Sequence, residues 1–147
     1  MTILEMLDPR HTPPLHPLLV NFTAALIPTS VISDWLGKFT KKDSFRSTAF
    51  WTLTLATAIT PVTAYMGWRW MNALQETQTN AMVFHRIMGF SLAGILLPML
   101  YWRFRTFRGG RPTSILYLLI MTVVILAVAM QGHIGATMTF GNGSTAP

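Results

Sequence analysis

The chain has 147 residues, of which 51% are hydrophobic and only 11% charged, against about 25% charged in an ordinary soluble protein. It has no cysteine, which excludes disulfides, thiolate zinc sites, iron–sulfur ligation and covalent c-type haem. The net charge is +6, but the basic residues gather in two short stretches, a pattern of membrane orientation rather than of nucleic-acid binding.

In chain order, residues 1–14 read as an N-terminal tail. Met1 to Leu15 lacks a basic stretch followed by an apolar one, so no cleavable signal peptide is expected. Four apolar segments follow, at about Leu15–Leu36, Ser47–Met71, Ala81–Trp102 and Thr113–Ala136. Some 20 residues at about 1.5 Å each cross a hydrocarbon core of about 30 Å. The connections Lys38–Arg46, Asn72–Asn80 and Arg103–Pro112 are short, which makes sequential segments antiparallel neighbours. The expected fold is all-α. It is a four-helix transmembrane bundle over 15–136, running up-down-up-down, with a C-terminal tail over 137–147.

Orientation follows from the cations. Lys38, Lys41, Lys42, Arg46, Arg103, Arg105, Arg108 and Arg111 fall on one side, and Arg10, Arg69 and Arg86 on the other. Eight against three places the two basic loops in the cytoplasm and both termini in the periplasm of a bacterial inner membrane. Trp68, Trp70, Tyr101 and Trp102 sit at segment ends, where amphipathic rings favour the headgroup zone. Pro28, Pro61 and Pro98 interrupt three segments; they either shape the bundle or make room for a cofactor.

Three histidines carry the functional signal. His16 opens the first segment, His85 opens the third and His133 closes the fourth, so an antiparallel bundle sets all three at one depth near the outer face. Two neutral imidazoles can hold a b-type haem axially between helices. Spacing leaves the pair open: His85 with His133, or His16 with His85. Gly89 lies one turn from His85, and Gly135 lies two residues from His133; both are expected to face the interior beside the cofactor. Arg69 and Arg86 stand at the right level for haem propionates. The same three histidines are the candidate metal ligands. A copper site from His11, His16, His85 and Met82 is the weaker metal reading, since no His-x-His or Met-x-x-Met cluster accompanies it. Against all of these stands a plain structural reading, with interfacial histidines that only hydrogen-bond and glycines that only let helices approach. Asp34, at the cytoplasmic end of the first segment, has no carboxylate partner for acid–base work, and Asp34→Asn is expected to leave any haem spectrum intact.

The same residues carry a family resemblance. His16-Pro17-Leu18-Leu19-Val20-Asn21-Phe22 resembles the opening His-Pro-x-x-Val-His-Phe-Pro of a bacterial four-helix membrane family, domain of unknown function 2231. Gly132-His133-Ile134-Gly135 through Phe140 resembles its closing Gly-His-Leu-Gly-Gly-x-Leu-Val-Tyr, and Gly67-Trp68 and His85 match its second and third helices. Asn21 stands where the family has a second histidine, and Thr23 where it has proline. Some members resemble fusions with Rieske or c-type cytochrome domains, which implies an electron-transfer setting on the outer face. The leading expectation is a small integral-membrane electron-transfer protein or subunit, binding one haem b and exchanging electrons with quinol or a periplasmic cytochrome c. The alternative is a cofactor-free accessory subunit packed against a larger membrane complex.

Overall fold

The computed structural model describes residues 15–73 and 79–140. They form four helices: α1 (Leu15–Thr40), α2 (Asp43–Ala73), α3 (Asn80–Arg108) and α4 (Ile115–Phe140). There is no strand among the described residues. Expectations that fall on Arg10, His11 and the last seven residues lie outside them.

The helix ends follow local chemistry. Thr79 has an extended backbone and its hydroxyl accepts from the Met82 amide at 3.3 Å, capping α3. At the other end Gly110 takes φ +61°, a left-handed conformation that glycine adopts without steric cost. The amides of Gly109, Gly110 and Arg111 donate back to the Arg105, Phe107 and Thr106 carbonyls, so the final turn is satisfied. Lys38, Arg105 and Arg108 sit in final helical turns, where the macrodipole favours cations.

Each helix packs on its neighbours in the order α1–α2–α3–α4–α1, and the diagonal pair α1 and α3 meets through side chains at its two ends. Ile27 and Val31 of α1, Leu53 and Ala56 of α2, Leu92 and Leu96 of α3, and Leu118 and Met121 of α4 fill the centre. The outside is as apolar as the inside: Leu18, Trp51, Leu97, Val123 and Leu126 are each more than half exposed. In water that surface would aggregate; in lipid it is simply solvated. Pro61 and Pro98 lie on this outer surface.

Three helices, α1, α3 and α4, are long and apolar enough to cross a membrane, rather than the four expected. α2 has the length, at 31 residues, but its threonines lower its hydropathy. Those hydroxyls are not loose polar groups. Thr48, Thr52, Thr54, Thr57, Thr60 and Thr63 each donate to the carbonyl four residues earlier, at 2.6 to 3.0 Å. A hydroxyl satisfied within its own helix costs little in lipid.

The basic end contains a buried ion pair. α3 runs six residues past Trp102, so Arg103 belongs to the helix and not to a loop. Arg103 and Asp34 side chains are both 0% exposed. Arg103 Nε donates to the two Asp34 oxygens at 3.1 and 3.0 Å, and Nη2 lies 2.8 Å from Oδ1. Thr113 donates its hydroxyl to the same carboxylate at 3.3 Å, and Arg103 Nη2 donates to the Arg46 carbonyl at 2.8 Å. Arg46 in turn donates to the Arg111 carbonyl at 2.7 Å. One network therefore ties α1, α2, α3 and the segment entering α4. Asp34 is a structural residue of this end, held by Arg103 and Thr113.

Candidate functional site

At the opposite end, the first turn of α1 lies on the last turns of α2 and beside the first turns of α3, which the last turns of α4 meet in turn. Thr63, Gly67 and Trp70 are spaced by four and three residues, which puts them on one face of α2. His16 lies against that face. Its Nδ1 is 2.9 Å from the Thr63 carbonyl oxygen. A carbonyl only accepts, so Nδ1 carries the proton and Nε2 keeps its lone pair. A Cβ on Gly67 would sit 2.7 Å from His16 Cε1 and 2.8 Å from Nδ1, so the ring occupies the space a side chain would need. Trp70 closes the outer side, with ring centroids 6.2 Å apart.

His85, from α3, faces the same centre. Its ring centroid is 6.2 Å from that of His16, with the planes at 85°. Gln131 of α4 donates its amide to the His85 carbonyl at 2.8 Å. His85 Nδ1 and Gln131 Oε1 are buried and have no hydrogen-bond partner. Such orphans are uncommon in folded proteins and call for an explanation. Gly135 faces His85: a Cβ there would lie 3.2 Å from Cε1. Gly89 also faces inward, its missing Cβ pointing at Gln131 Nε2 and Ala64.

The structure brings together two of the three expected histidines. His133 is exposed on α4. The reason is rotational. Gln131 and Gly135, four residues apart, share the inward face, and His133 stands between them, about 200° round the helix from Gln131. Gly132 is exposed too, with open space where a Cβ would be. Among the described residues, no three His, Cys, Asp or Glu side chains converge where a metal could sit, so the three-histidine metal centre does not form. Arg69 is exposed on α2, and Arg86 is half-buried beside Trp68.

Sequence reasoning missed two partners. Thr63 and Gln131 are uncharged and carry no motif, and only contact reveals them. The Asp34–Arg103 pair was missed as well; the signal that could have found it is that an acid inside an apolar span requires a partner at its own depth.

A family model described as a predicted membrane protein, DUF2231, matches residues 12–146. The chain belongs to this family. No curated protein and no solved structure matches it. In this DUF2231 chain the matched region contains every residue of the histidine end. Asn21, where the resemblance has a second histidine, is exposed and five residues on from His16, so its side chain leaves the bundle on another face. That substitution does not remove a neighbour of the His16–His85 pair.

Proposed function

We propose that this chain is a small integral-membrane electron-transfer protein or subunit, with His16 and His85 as axial ligands of one b-type haem. The observation that carries the reading is the 6.2 Å separation of the two ring centroids. A metal held between two imidazoles separates their centroids by roughly 6 Å, taking about 2 Å per metal–nitrogen bond and about 1 Å from nitrogen to ring centre. Axial ligation needs only two protein ligands, which suits a site that lacks a third. The surrounding groups fit as well. The Thr63 carbonyl fixes the His16 tautomer with Nε2 unprotonated, as a ligating histidine requires. The orphaned His85 Nδ1 is a buried atom in want of a partner. Gly67 and Gly135 keep side chains out of both rings' space. Arg86 and Arg69, at the same level, are suited to carboxylates such as propionates. A bound haem would supply one-electron exchange with quinol or a periplasmic cytochrome; the protein's part is to hold, orient and seal it.

The second reading, an accessory subunit without cofactor, draws on the His16–Gly67 interlock, which closes with protein atoms alone and needs no haem to be filled. An absorbance spectrum of the purified protein before and after dithionite separates the two. The expected result is the α-band of a reduced low-spin b-type haem with stoichiometric iron, abolished in His85→Ala and His16→Ala and retained in His133→Ala. A wild-type protein without iron or α-band would overturn the haem and leave the accessory subunit.

The same proposal places the histidine end at the periplasmic face of a bacterial inner membrane. Lys38, Lys41, Lys42, Arg105, Arg108 and Arg111 are all exposed near the Asp34–Arg103 end, and such clusters are retained in the cytoplasm. Single cysteines at Thr2 and Thr40, probed with an impermeant maleimide on intact cells, are expected to react at Thr2 only. Reaction at Thr40 alone would invert the orientation.

A further inference from the structure

The two halves of the chain repeat one another in register. Asp34 and Arg103, which pair at the basic end, are 69 residues apart. His16 and His85, whose rings meet at the other end, have the same separation, so α1 and α3 match position for position. The second helix of each half matches as well. Leu53, Ala56 and Thr60 of α2 are spaced like Met121, Val124 and Val128 of α4, and all six are buried. Continued along both helices, that register sets Gln131 in the place of Thr63 and Gly135 in the place of Gly67. It sets the exposed His133 in the place of the exposed Tyr65. The contacts repeat too. His16 Nδ1 lies against the Thr63 carbonyl, 47 residues on, and His85 is bonded by Gln131, 46 residues on. In each half the glycine four residues further along faces the imidazole. The α1–α2 and α3–α4 hairpins are thus parallel repeats about an axis along the bundle, and the two histidines meet across that axis.

The halves differ at one bond. His16 Nδ1 has its acceptor in the Thr63 carbonyl. His85 Nδ1 is buried without a partner, and so is Gln131 Oε1. Gln131 Nε2 donates to the His85 carbonyl, which only accepts, so the amide can face one way and Oε1 is left as an acceptor. A buried nitrogen that can donate and a buried oxygen that can accept therefore stand on two residues already bonded to each other. We propose that Gln131 is the positioning residue of His85: its Oε1 accepts the Nδ1 proton, directly or through one water, as the Thr63 carbonyl does for His16. Both imidazoles then present an unprotonated Nε2 to the axis between them. Axial ligation of one metal ion needs such a matched pair, and an acceptor behind each ring fixes its orientation and strengthens it as a ligand. The use of the two nitrogens for haem rests on the electron-transfer reading; the repeat and the tautomer do not.

The test is nitrogen-15 NMR of the full chain in nanodiscs, labelled at the histidine ring nitrogens and freed of any haem. The His85 signals are assigned by their loss in His85→Ala. In wild type, His16 and His85 are both expected to carry the proton on Nδ1. Gln131→Met is close in length and volume but has no acceptor; His85 alone is expected to move its proton to Nε2. Gln131→Glu keeps an acceptor oxygen at the same reach and is expected to restore the Nδ1 proton. A residue that only packs α4 on α3 would alter stability in Gln131→Met and leave the tautomer unchanged. A wild-type His85 protonated on Nε2 would overturn the proposal, and that result is decisive even if Gln131→Met does not fold. An Nδ1 proton retained in Gln131→Met would overturn it too. In protein that carries haem, Gln131→Met is expected to raise the midpoint potential, because the ligand donates less to the oxidised iron once its Nδ1–H bond is gone. A preparation without haem whose His85 tautomer follows Gln131 sinks the haem reading alone. One that holds haem while its His85 tautomer ignores Gln131 sinks the positioning role alone.

Discussion

Arg103→Ala is expected to destabilise the bundle by about 3–5 kcal/mol, the cost of stranding one charge of a buried pair. Asp34 would remain 0% exposed, with only the Thr113 hydroxyl, at 3.3 Å, in place of the guanidinium. The loss extends further, because Arg103 also donates to the Arg46 carbonyl and so holds the start of α2. Arg103→Lys keeps the charge but not the planar fork that meets both carboxylate oxygens, and should recover only part of the loss. The informative comparison is the double variant Asp34→Leu with Arg103→Met. Replacing both charges with apolar groups of similar volume removes the desolvation cost together with the attraction, and such exchanges are often neutral. Thermal midpoints in detergent should therefore rank wild type and the double variant together, Arg103→Lys below them and Arg103→Ala lowest. An Arg103→Ala protein as stable as wild type would show that the pair does not hold the basic end.

Depth was legible in this sequence, and rotation was not. The apolar runs fixed four helices, because a hydrocarbon core sets a minimum length for each. Their ends were read too short wherever a charged residue was taken as a boundary. Arg103 looked like loop because an arginine in an apolar helix is costly; the cost is offset once Asp34, six residues before the end of α1, meets it at matching depth. The histidines show the same division. His16, His85 and His133 were placed at one end from helix length alone, but only two of them turn inward. In a soluble bundle the hydrophobic stripe would have shown which face is inside. Here Leu119, Val123 and Leu126 of α4 face outward and are as apolar as Leu118, Met121 and Val124, which face inward. No stripe exists to orient His133. The polar Gln131 was the residue that marked the inner face, and it is recognisable only through its bond to the His85 carbonyl.

Gly67→Leu is expected to displace His16 and to cost about 1–3 kcal/mol, the usual penalty for forcing extra atoms into a filled space. Even the first added carbon would lie 2.7 Å from His16 Cε1, closer than real side-chain atoms approach one another. The imidazole must swing away, and it then gives up its bond to the Thr63 carbonyl and its contact with Trp70. The start of α1 loses its hold on α2. His16→Ala alone removes that bond, worth about 1 kcal/mol net, and leaves the pocket beside Gly67 empty. The two changes should therefore offset each other in combination. With the imidazole gone, a leucine at 67 fills the space it vacated, and the double variant should be more stable than the sum of the single losses allows. A double-mutant cycle of thermal midpoints measures that coupling. Strict additivity would mean that Gly67 and His16 do not touch, and the histidine end would then lack the interlock that sets the ring against α2. Measured on protein stripped of any bound group, the cycle tests the packing of the site separately from what the site holds.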